Sequence, residues 1–222
     1  MKYLIYTVIK VVKYSDILEF AGEEESVTYK YALDSSTKYD DPQVWCTALI
    51  LFLYDWNAMY FKDNIESKSW KALRDLTIHL VENLSMTIKK YKPFIDLFKK
   101  QKLKLDLVDS LDKYKPFITK LYEEFKKITG STGAAKVLHV LAPDFFVMWD
   151  AKIRQMYSIG DSPDDYYRFL VKMRDEIREA VNTYKQAFKI NSYEEAREDL
   201  ESLLRKKITR AIDEYNYSKA WK

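Results

Sequence analysis

Glycine and proline are scarce in this chain, with four glycines and five prolines among its 222 residues. β-Sheet folds need such residues at most of their tight turns, because glycine and proline supply the backbone angles that hairpins require. Apolar residues make up 47% of the chain, so it can bury a substantial core. The composition therefore predicts a mainly all-α protein.

Helix-start signals and apolar periodicity place most of the chain in helices. The dipeptide Asp41-Pro42 can cap and begin one helix, and Ser162 and Ser192 are each followed three residues later by an acidic residue, as in a capping box. The predicted helices span residues 42–60, 67–90, 114–128, 134–141, 150–157, 163–184 and 193–215. Residues 1–41 fit short strands or irregular helices equally, whereas residues 42–222 are expected to form a single mostly helical domain.

The charge and the cysteine content exclude several classes of protein. Lys and Arg total 37 against 34 Asp and Glu, and a net charge of +3 does not by itself indicate a nucleic-acid partner. Any phosphate-binding surface must therefore be local. The single cysteine, Cys46, excludes a disulfide framework, and the two histidines, His79 and His139, are far apart in sequence. We therefore expect no metal site and no cofactor.

The apolar segments are short. The longest apolar run, residues 45–54, falls well below the roughly 20 residues needed to cross a bilayer. Residues 1–12 contain two lysines and no small-residue cleavage site, unlike a secretory signal. We expect a cytoplasmic protein with no membrane partner, and its many lysines and glutamates with few glutamines are typical of a thermophile.

Residues 128–154 are the most informative stretch for function. Two glycines lie three residues apart at a predicted junction between helices, and Asp150 begins the next predicted helix. A tight glycine turn exposes backbone N–H groups at a helix N-terminus, where they can bind phosphate without a charged side chain. The predicted phosphate-binding backbone is that of Gly130, Ser131, Thr132, Gly133 and Ala134.

Besides a basic cluster at residues 99–104 that could contact a phosphate backbone, basic residues occur in two places of interest. Charge near the glycine turn would add to its attraction for a phosphate backbone. The lysines that lead into the turn are Lys113, Lys115, Lys126 and Lys127. A second cluster, residues 205–210, follows acidic turns on the same predicted helix and is interpreted as a solvated charged face.

The sequence Gly130-Ser-Thr-Gly133-Ala-Ala, a hydrophobic helix and then Val147-Met-Trp-Asp150-Ala-Lys-Ile-Arg154 resembles the helix-hairpin-helix core of the DNA glycosylase superfamily that includes endonuclease III. The resemblance places this core at about residues 114–158. It implies a helix-hairpin-helix glycosylase-like fold with two helical subdomains around a cleft. It also implies a protein of base-excision-repair type that binds duplex DNA, including damaged duplexes.

The resemblance further implies roles for individual residues. Asp150 would be the catalytic group, assisting attack on the sugar C1′ and stabilising the positive charge that develops there. The side chains available to stack on a flipped-out base would be Trp149, Trp56 and Tyr60. Family members with lyase activity carry a lysine two positions after the second glycine, where this chain has Ala135. Lys136, the next residue, is a second catalytic candidate, and a monofunctional glycosylase is indicated.

Each of these residues also has a structural interpretation. Asp150 is a natural N-cap, and the glycines would form an ordinary helix end and turn. Lys136 would be a solvated lysine or a phosphate contact, and His139 a hydrogen-bonded core residue. The tryptophans on apolar helix faces would pack the core.

Two other classes of function stay open. The near-neutral charge and the missing aligned lysine indicate a non-catalytic helical module that retains the glycosylase-like fold and binds nucleic acid or protein. The chain could also be a structural or small-molecule-binding helical protein in which the glycine turn is only a turn. No oligomeric state is indicated by the sequence.

Overall fold

The computed structural model describes residues 13–20, 26–56, 70–99 and 103–221. These residues form α-helices and two short 3-10 turns, at Leu105–Leu107 and Asp112–Tyr114, and none of them lies in a β-strand. The helices are α1 (Tyr14–Phe20), α2 (Val27–Lys38), α3 (Pro42–Trp56), α4 (Trp70–Lys90), α5 (Lys92–Lys99), α6 (Lys115–Leu141), α7 (Ala151–Met156), α8 (Pro163–Phe188), α9 (Tyr193–Leu204) and α10 (Ile208–Ala220). The predicted mainly α-helical fold is confirmed, and the described part of residues 1–41 is helical too.

Helix α3 starts where the sequence predicts. The carboxylate of Asp41 accepts a hydrogen bond from the backbone N–H of Gln43 at 3.0 Å, which satisfies one of the free donors of the first turn. The predicted end of this helix at residue 60 and the predicted start of the next at residue 67 lie outside the described residues, as does the base-pocket candidate Tyr60.

The predicted start of α8 is also confirmed. The hydroxyl of Ser162 accepts from the N–H of Asp165 at 3.1 Å, and the Asp165 carboxylate accepts from the N–H of Ser162 at 3.1 Å, so the capping box is complete. The helix runs past the predicted residue 184 to Phe188 and ends at Lys189, whose φ of 55° is left-handed.

The last predicted helix, residues 193–215, is in fact two helices. Its start is as predicted, because the Ser192 hydroxyl accepts from the N–H of Glu195 at 3.1 Å. The helix then stops at Leu204, since Arg205 adopts left-handed angles of φ 56° and ψ 27°. A new helix, α10, begins at Ile208. Within the basic cluster at residues 205–210, Arg205 and Lys207 are exposed whereas Arg210 is buried.

The glycine turn is shorter than predicted. Helix α6 covers both predicted arms and is interrupted at a single residue, Gly130, with φ 71° and ψ 175°. This region of backbone space is open essentially to glycine alone, because a Cβ atom would clash there. Gly133 lies within the helix that follows Gly130 and is buried.

One cluster of buried apolar side chains extends from Ile17 in α1 to Tyr215 in α10. Helix α6 packs against α8, and α10 packs against α1, α7 and α9. Every residue from 133 to 141 in the second half of α6 is buried, so Lys136 and His139 lie in the interior. Among the described helices, none combines the length and apolarity that a bilayer span requires.

Candidate functional site

Asp150 caps helix α7. Its backbone is extended, with φ −129° and ψ −174°, and its Oδ1 accepts from the N–H of Ile153 at 2.8 Å. The structural interpretation of Asp150 as an N-cap is therefore confirmed. The cap uses one carboxylate oxygen, and the residue is only partly buried. The capping bond does not involve the second carboxylate oxygen, Oδ2.

Lys136 is not solvated, contrary to the expectation from sequence. The residue is 6% exposed, and its ammonium donates a hydrogen bond to the backbone carbonyl of Trp56. Burial lowers the pKa of Lys136 to about 8, while the carboxylates of Asp213 and Asp150 act in the opposite direction. The amine is thus held in the interior, where it interacts electrostatically with the two acids.

Helix α10 supplies two further buried charged side chains, Arg210 and Asp213. Arg210 is 3% exposed and Asp213 is 6% exposed, and their side chains form an ion pair. A second nitrogen of Arg210 lies 2.9 Å from Oε1 of Glu214. Burial raises the pKa of Asp213 to about 6, against the opposing effects of Arg210 and Lys136, and Asp150 adds to the rise. We call Lys136, Asp150, Arg210 and Asp213 the charged cluster.

The charged cluster borders two aromatic rings. The guanidinium carbon of Arg210 lies 4.5 Å from the ring centroid of Trp56 and 5.1 Å from that of Tyr29. The ammonium of Lys136 lies 5.7 Å from the Trp56 ring. Cations over aromatic faces are attracted by the negative ring quadrupole, and the attraction grows when water is excluded. Trp56 is therefore a contact of the cluster and is only partly buried itself.

A buried histidine orients Tyr29 next to the cluster. Nδ1 of His139 lies 2.7 Å from the carbonyl of Phe146, and Nε2 lies 2.6 Å from the Tyr29 hydroxyl. A carbonyl can only accept, so Nδ1 carries the proton and the Tyr29 hydroxyl donates to Nε2. Burial lowers the pKa of His139 to about 4, which keeps the ring neutral at pH 7. The predicted hydrogen-bonded core histidine is confirmed.

Ser131 fixes the chain at the glycine turn. Its carbonyl accepts from Nε1 of Trp149 at 3.2 Å and from the Tyr122 hydroxyl at 3.3 Å. Its hydroxyl accepts from Arg154 at 2.6 Å, and the Arg154 guanidinium lies 5.5 Å from the Trp149 ring. These bonds tie α7 to the residue that follows Gly130.

The predicted phosphate-binding residues divide by burial. Gly130, Ser131 and Thr132 are partly exposed, whereas Gly133 and Ala134 are buried. Only the first three can therefore meet a ligand from solvent without a rearrangement of α6.

Three of the four lysines that lead into the turn form ion pairs with carboxylates. Lys126 lies 3.0 Å from the carboxylate of Asp161, and Lys127 lies 2.6 Å from that of Glu124. Lys115 pairs in the same way with Asp164 at 2.8 Å. Lys113 lies over the ring of Tyr114, at 4.9 Å. The positive potential expected around the turn is thus partly neutralised by neighbouring carboxylates.

Trp149 belongs to the core. It is 1% exposed, and its ring centroid lies between 5.0 and 5.7 Å from those of Tyr122, Tyr166 and Phe169. This enclosure leaves no ring face for a base to stack on, contrary to the expectation from sequence. Trp45 is likewise buried, at 3% exposure, as its place on an apolar helix face predicts.

The described residues contain no group of three or more His, Cys, Asp or Glu side chains that could hold a metal ion. The chain matches no protein-family model, no curated protein and no solved structure.

Sequence reasoning missed Arg210, Asp213 and Tyr29. The spacing of Arg210 and Asp213, three residues apart on a helix, is visible in the sequence as an ion-pair pattern. Such a pattern is usual on solvated faces, and its burial depends on the break at Arg205. Tyr29 lies in the region whose structure the sequence left open.

Proposed function

We propose that this chain binds DNA and excises a base from it, with Asp150 as the catalytic carboxylate and Lys136 beside it. The proposal includes the helix-hairpin-helix glycosylase-like arrangement of two helical subdomains around a cleft, with Gly130 at the turn of the hairpin. The class of reaction is hydrolysis of the N-glycosidic bond.

One observation carries the proposal. Asp150 raises the pKa of Lys136, and both groups act on the pKa of Asp213, although the three residues come from separate parts of the chain. The two catalytic candidates inferred from sequence thus share one electrostatic environment. Clusters of interacting ionisable groups with shifted pKa values are more frequent at functional sites than elsewhere.

The chemistry follows from the charges. Lys136, with a pKa of about 8, is mainly an ammonium at pH 7, and its positive charge interacts electrostatically with the carboxylate of Asp150. An ionised carboxylate can orient water for attack at the sugar C1′ and can stabilise the positive charge that develops there as the base leaves. A nucleophilic amine would have to lose its proton first, so the attack by water is the favoured route.

The glycine turn supplies the DNA contact in this proposal. Gly130, Ser131 and Thr132 would offer backbone N–H groups to one phosphate at the partly exposed start of a helix. Arg154 supports this assignment because its guanidinium binds the Ser131 hydroxyl and brings a positive charge to the same place.

A non-catalytic nucleic-acid-binding module is the second candidate, and two observations favour it. The lysines next to the turn are paired with carboxylates, and the Trp149 ring is enclosed in the core. Such a module would bind DNA through the turn and leave every base attached.

The test measures binding and base release separately. Fluorescence anisotropy is used to measure binding to duplexes that carry one deaminated, oxidised or alkylated base, an abasic site, or no lesion. Base release is measured as strand cleavage after alkali. For the wild-type protein, we expect salt-sensitive binding that favours at least one of the damaged duplexes and release of its altered base.

The decisive variant is Asp150→Asn, because asparagine also caps helices well and the fold should be retained. We expect base release to fall by about 100-fold or more while binding is unchanged. Asp41→Asn is the matched control, since Asp41 also accepts a backbone N–H at a helix start and lies outside the charged cluster. Unchanged release in Asp150→Asn would exclude the catalytic assignment, and binding without release in the wild type would support the module.

A further inference from the structure

Two large aromatic side chains are exposed together at the C-terminal end of α10. Tyr217 is 51% exposed and Trp221 is 59% exposed, and their ring centroids lie 5.5 Å apart at an interplanar angle of 36°. Their spacing of four residues puts both rings on one face of the helix. Single exposed aromatic residues are common, but a pair in mutual contact presents a continuous apolar surface to solvent.

A lysine from another helix completes this surface. The ammonium of Lys152, in the first turn of α7, lies 5.6 Å from the ring centroid of Trp221. Nearby on α10, the ammonium of Lys219 lies 4.6 Å from the ring of Tyr215. Lys152 forms no salt bridge in the part of the chain that the structure describes. Lys219, in contrast, interacts electrostatically with the carboxylate of Glu176 and lowers its pKa against the effect of burial.

This arrangement contrasts with the glycine turn. There, Lys126 and Lys127 are neutralised by carboxylates, whereas Lys152 lies beside the exposed ring of Trp221. Aromatic faces next to uncompensated cations fit single-stranded nucleic acid, because bases stack on the rings and phosphates attract the ammonium groups.

We propose that Tyr217, Trp221 and Lys152 form a stacking platform for unpaired bases of single-stranded or distorted DNA. The platform is connected to the candidate catalytic carboxylate through the start of α7, since Asp150 is the N-cap of this helix and Lys152 lies in its first turn. In a distorted duplex, it would hold the bases next to the damaged position. The inference rests on the proposed function for its DNA partner, but it does not require Asp150 to be catalytic.

The experiment uses the full chain and a labelled oligothymidine of about 12 nucleotides, within the usual site size of a single-strand-binding surface. Anisotropy gives the affinity across a salt series. Each of the substitutions Trp221→Ala and Tyr217→Ala should weaken binding by about 5-fold or more, and Trp221→Phe should restore most of the loss because it keeps a stacking ring. Lys152→Ala should lower the slope of log affinity against log salt by roughly 0.7.

Tyr39→Ala is the matched control. Tyr39 is 42% exposed, and its ring also has a lysine over it, with the ammonium of Lys38 at 5.4 Å. This pair lies at the end of α2, outside the platform. Its substitution should leave the affinity for oligothymidine unchanged.

The outcomes separate this inference from the proposed function. Wild-type affinity in both Trp221→Ala and Tyr217→Ala would overturn the platform, as would an equal loss in Tyr39→Ala. Binding that depends on the platform, without base release, would support the platform and exclude the proposed glycosylase activity. Asp150-dependent base release without any effect of the platform variants would do the reverse.

Discussion

Arg210 stacks on Trp56, with its guanidinium carbon 4.5 Å from the centroid of the indole ring. The same residue holds the buried carboxylate of Asp213, and the carbonyl of Trp56 accepts from Lys136. Trp56 is therefore bound to both cations of the charged cluster. A base that stacked on this ring would have to share it with Arg210, so Trp56, one of the base-pocket candidates from sequence, is also part of the surroundings of the charged cluster.

Lys136 should make stability depend on pH in the alkaline range. Its pKa is lowered from 10.5 to about 8, so between these values the unfolded chain binds a proton that the folded chain has released. Stability from this group therefore rises as pH increases through that window. We expect the free energy of unfolding of the wild type to rise by about 3 kcal/mol relative to Lys136→Met between pH 8 and 10.5, measured by urea denaturation.

Lys30→Met is the control for this measurement. Lys30 is exposed on α2, and an exposed ammonium stays hydrated in both the folded and unfolded chain. The free energy of unfolding of Lys30→Met, plotted against pH, should run parallel to that of the wild type. Parallel curves for Lys136→Met as well would show that the Lys136 ammonium is not buried in solution.

His139 should make the stability of the protein depend on pH in the acidic range. Burial lowers its pKa from 6.5 to about 4, so the unfolded chain binds the extra proton between these values, and stability is lost as pH falls through them. The free energy of unfolding of the wild type should fall by about 3 kcal/mol relative to His139→Gln between pH 6.5 and 4. Urea denaturation at several pH values measures the difference, and His79→Gln, at an exposed position, should show none.

The effect of Asp213 overlaps that of His139 in pH, so the effect of His139 has to be measured as the difference between the wild type and His139→Gln. Its pKa is raised from 3.8 to about 6, so its contribution to stability falls as pH rises across that interval. The contributions of His139 and Asp213 therefore oppose each other between pH 4 and 6. A flat wild-type curve would be consistent with both shifts, whereas a flat difference between wild type and His139→Gln would contradict the shift of His139.

Local signals predicted the helix starts well. The capping residues Asp41, Ser162 and Ser192 all accept the backbone N–H groups that the sequence assigns to them, because capping depends on residues three or fewer positions away. The break at Arg205 had no such signal. Left-handed angles favour glycine or asparagine, and an arginine adopts them only when tertiary packing requires it.

The sequence predicted which residue types contribute to the charged cluster, but it did not predict that they are buried. Asp150 and Lys136 were both candidates from sequence, and the structure gives them a shared environment. Lys136 is buried because the second half of α6 is enclosed on all sides. Apolar periodicity in a sequence indicates a helix with one buried face and does not predict such an enclosure. Arg210 was assigned to a solvated face for the same reason, since its neighbours in sequence are charged.

Gly130 should tolerate no side chain. Its φ of 71° with ψ of 175° lies in a region that is essentially restricted to glycine, so Gly130→Ala should destabilise the chain by about 1–3 kcal/mol. Gly130→Asn should not rescue it, because asparagine tolerates the left-handed helical region and not this one. Thermal denaturation measures both, with Lys189→Gly as the control of opposite sign, since Lys189 is exposed and has a φ of 55°.

The buried ion pair between Asp106 and Arg197 supports a further prediction. Both side chains are fully buried, and the carboxylate and guanidinium lie 3.0 Å apart, joining the 3-10 turn at Leu105–Leu107 to α9. Asp106→Leu leaves a buried guanidinium with reduced compensation and should cost about 3–5 kcal/mol. Arg197→Met should cost a similar amount, because it leaves the Asp106 carboxylate without its cation.

The double variant Asp106→Leu with Arg197→Met should recover most of the loss, because no buried charge from this pair is left and the replacements are apolar. Glu201, which lies 3.1 Å from Arg197, keeps the N–H of Ile208 as a partner at 2.9 Å. A double-mutant cycle by urea denaturation gives the coupling energy. The exposed pair Arg74 and Asp75, at 3.2 Å, should give a coupling below about 1 kcal/mol. Additive losses in the buried pair would mean that the two side chains do not compensate each other's charge.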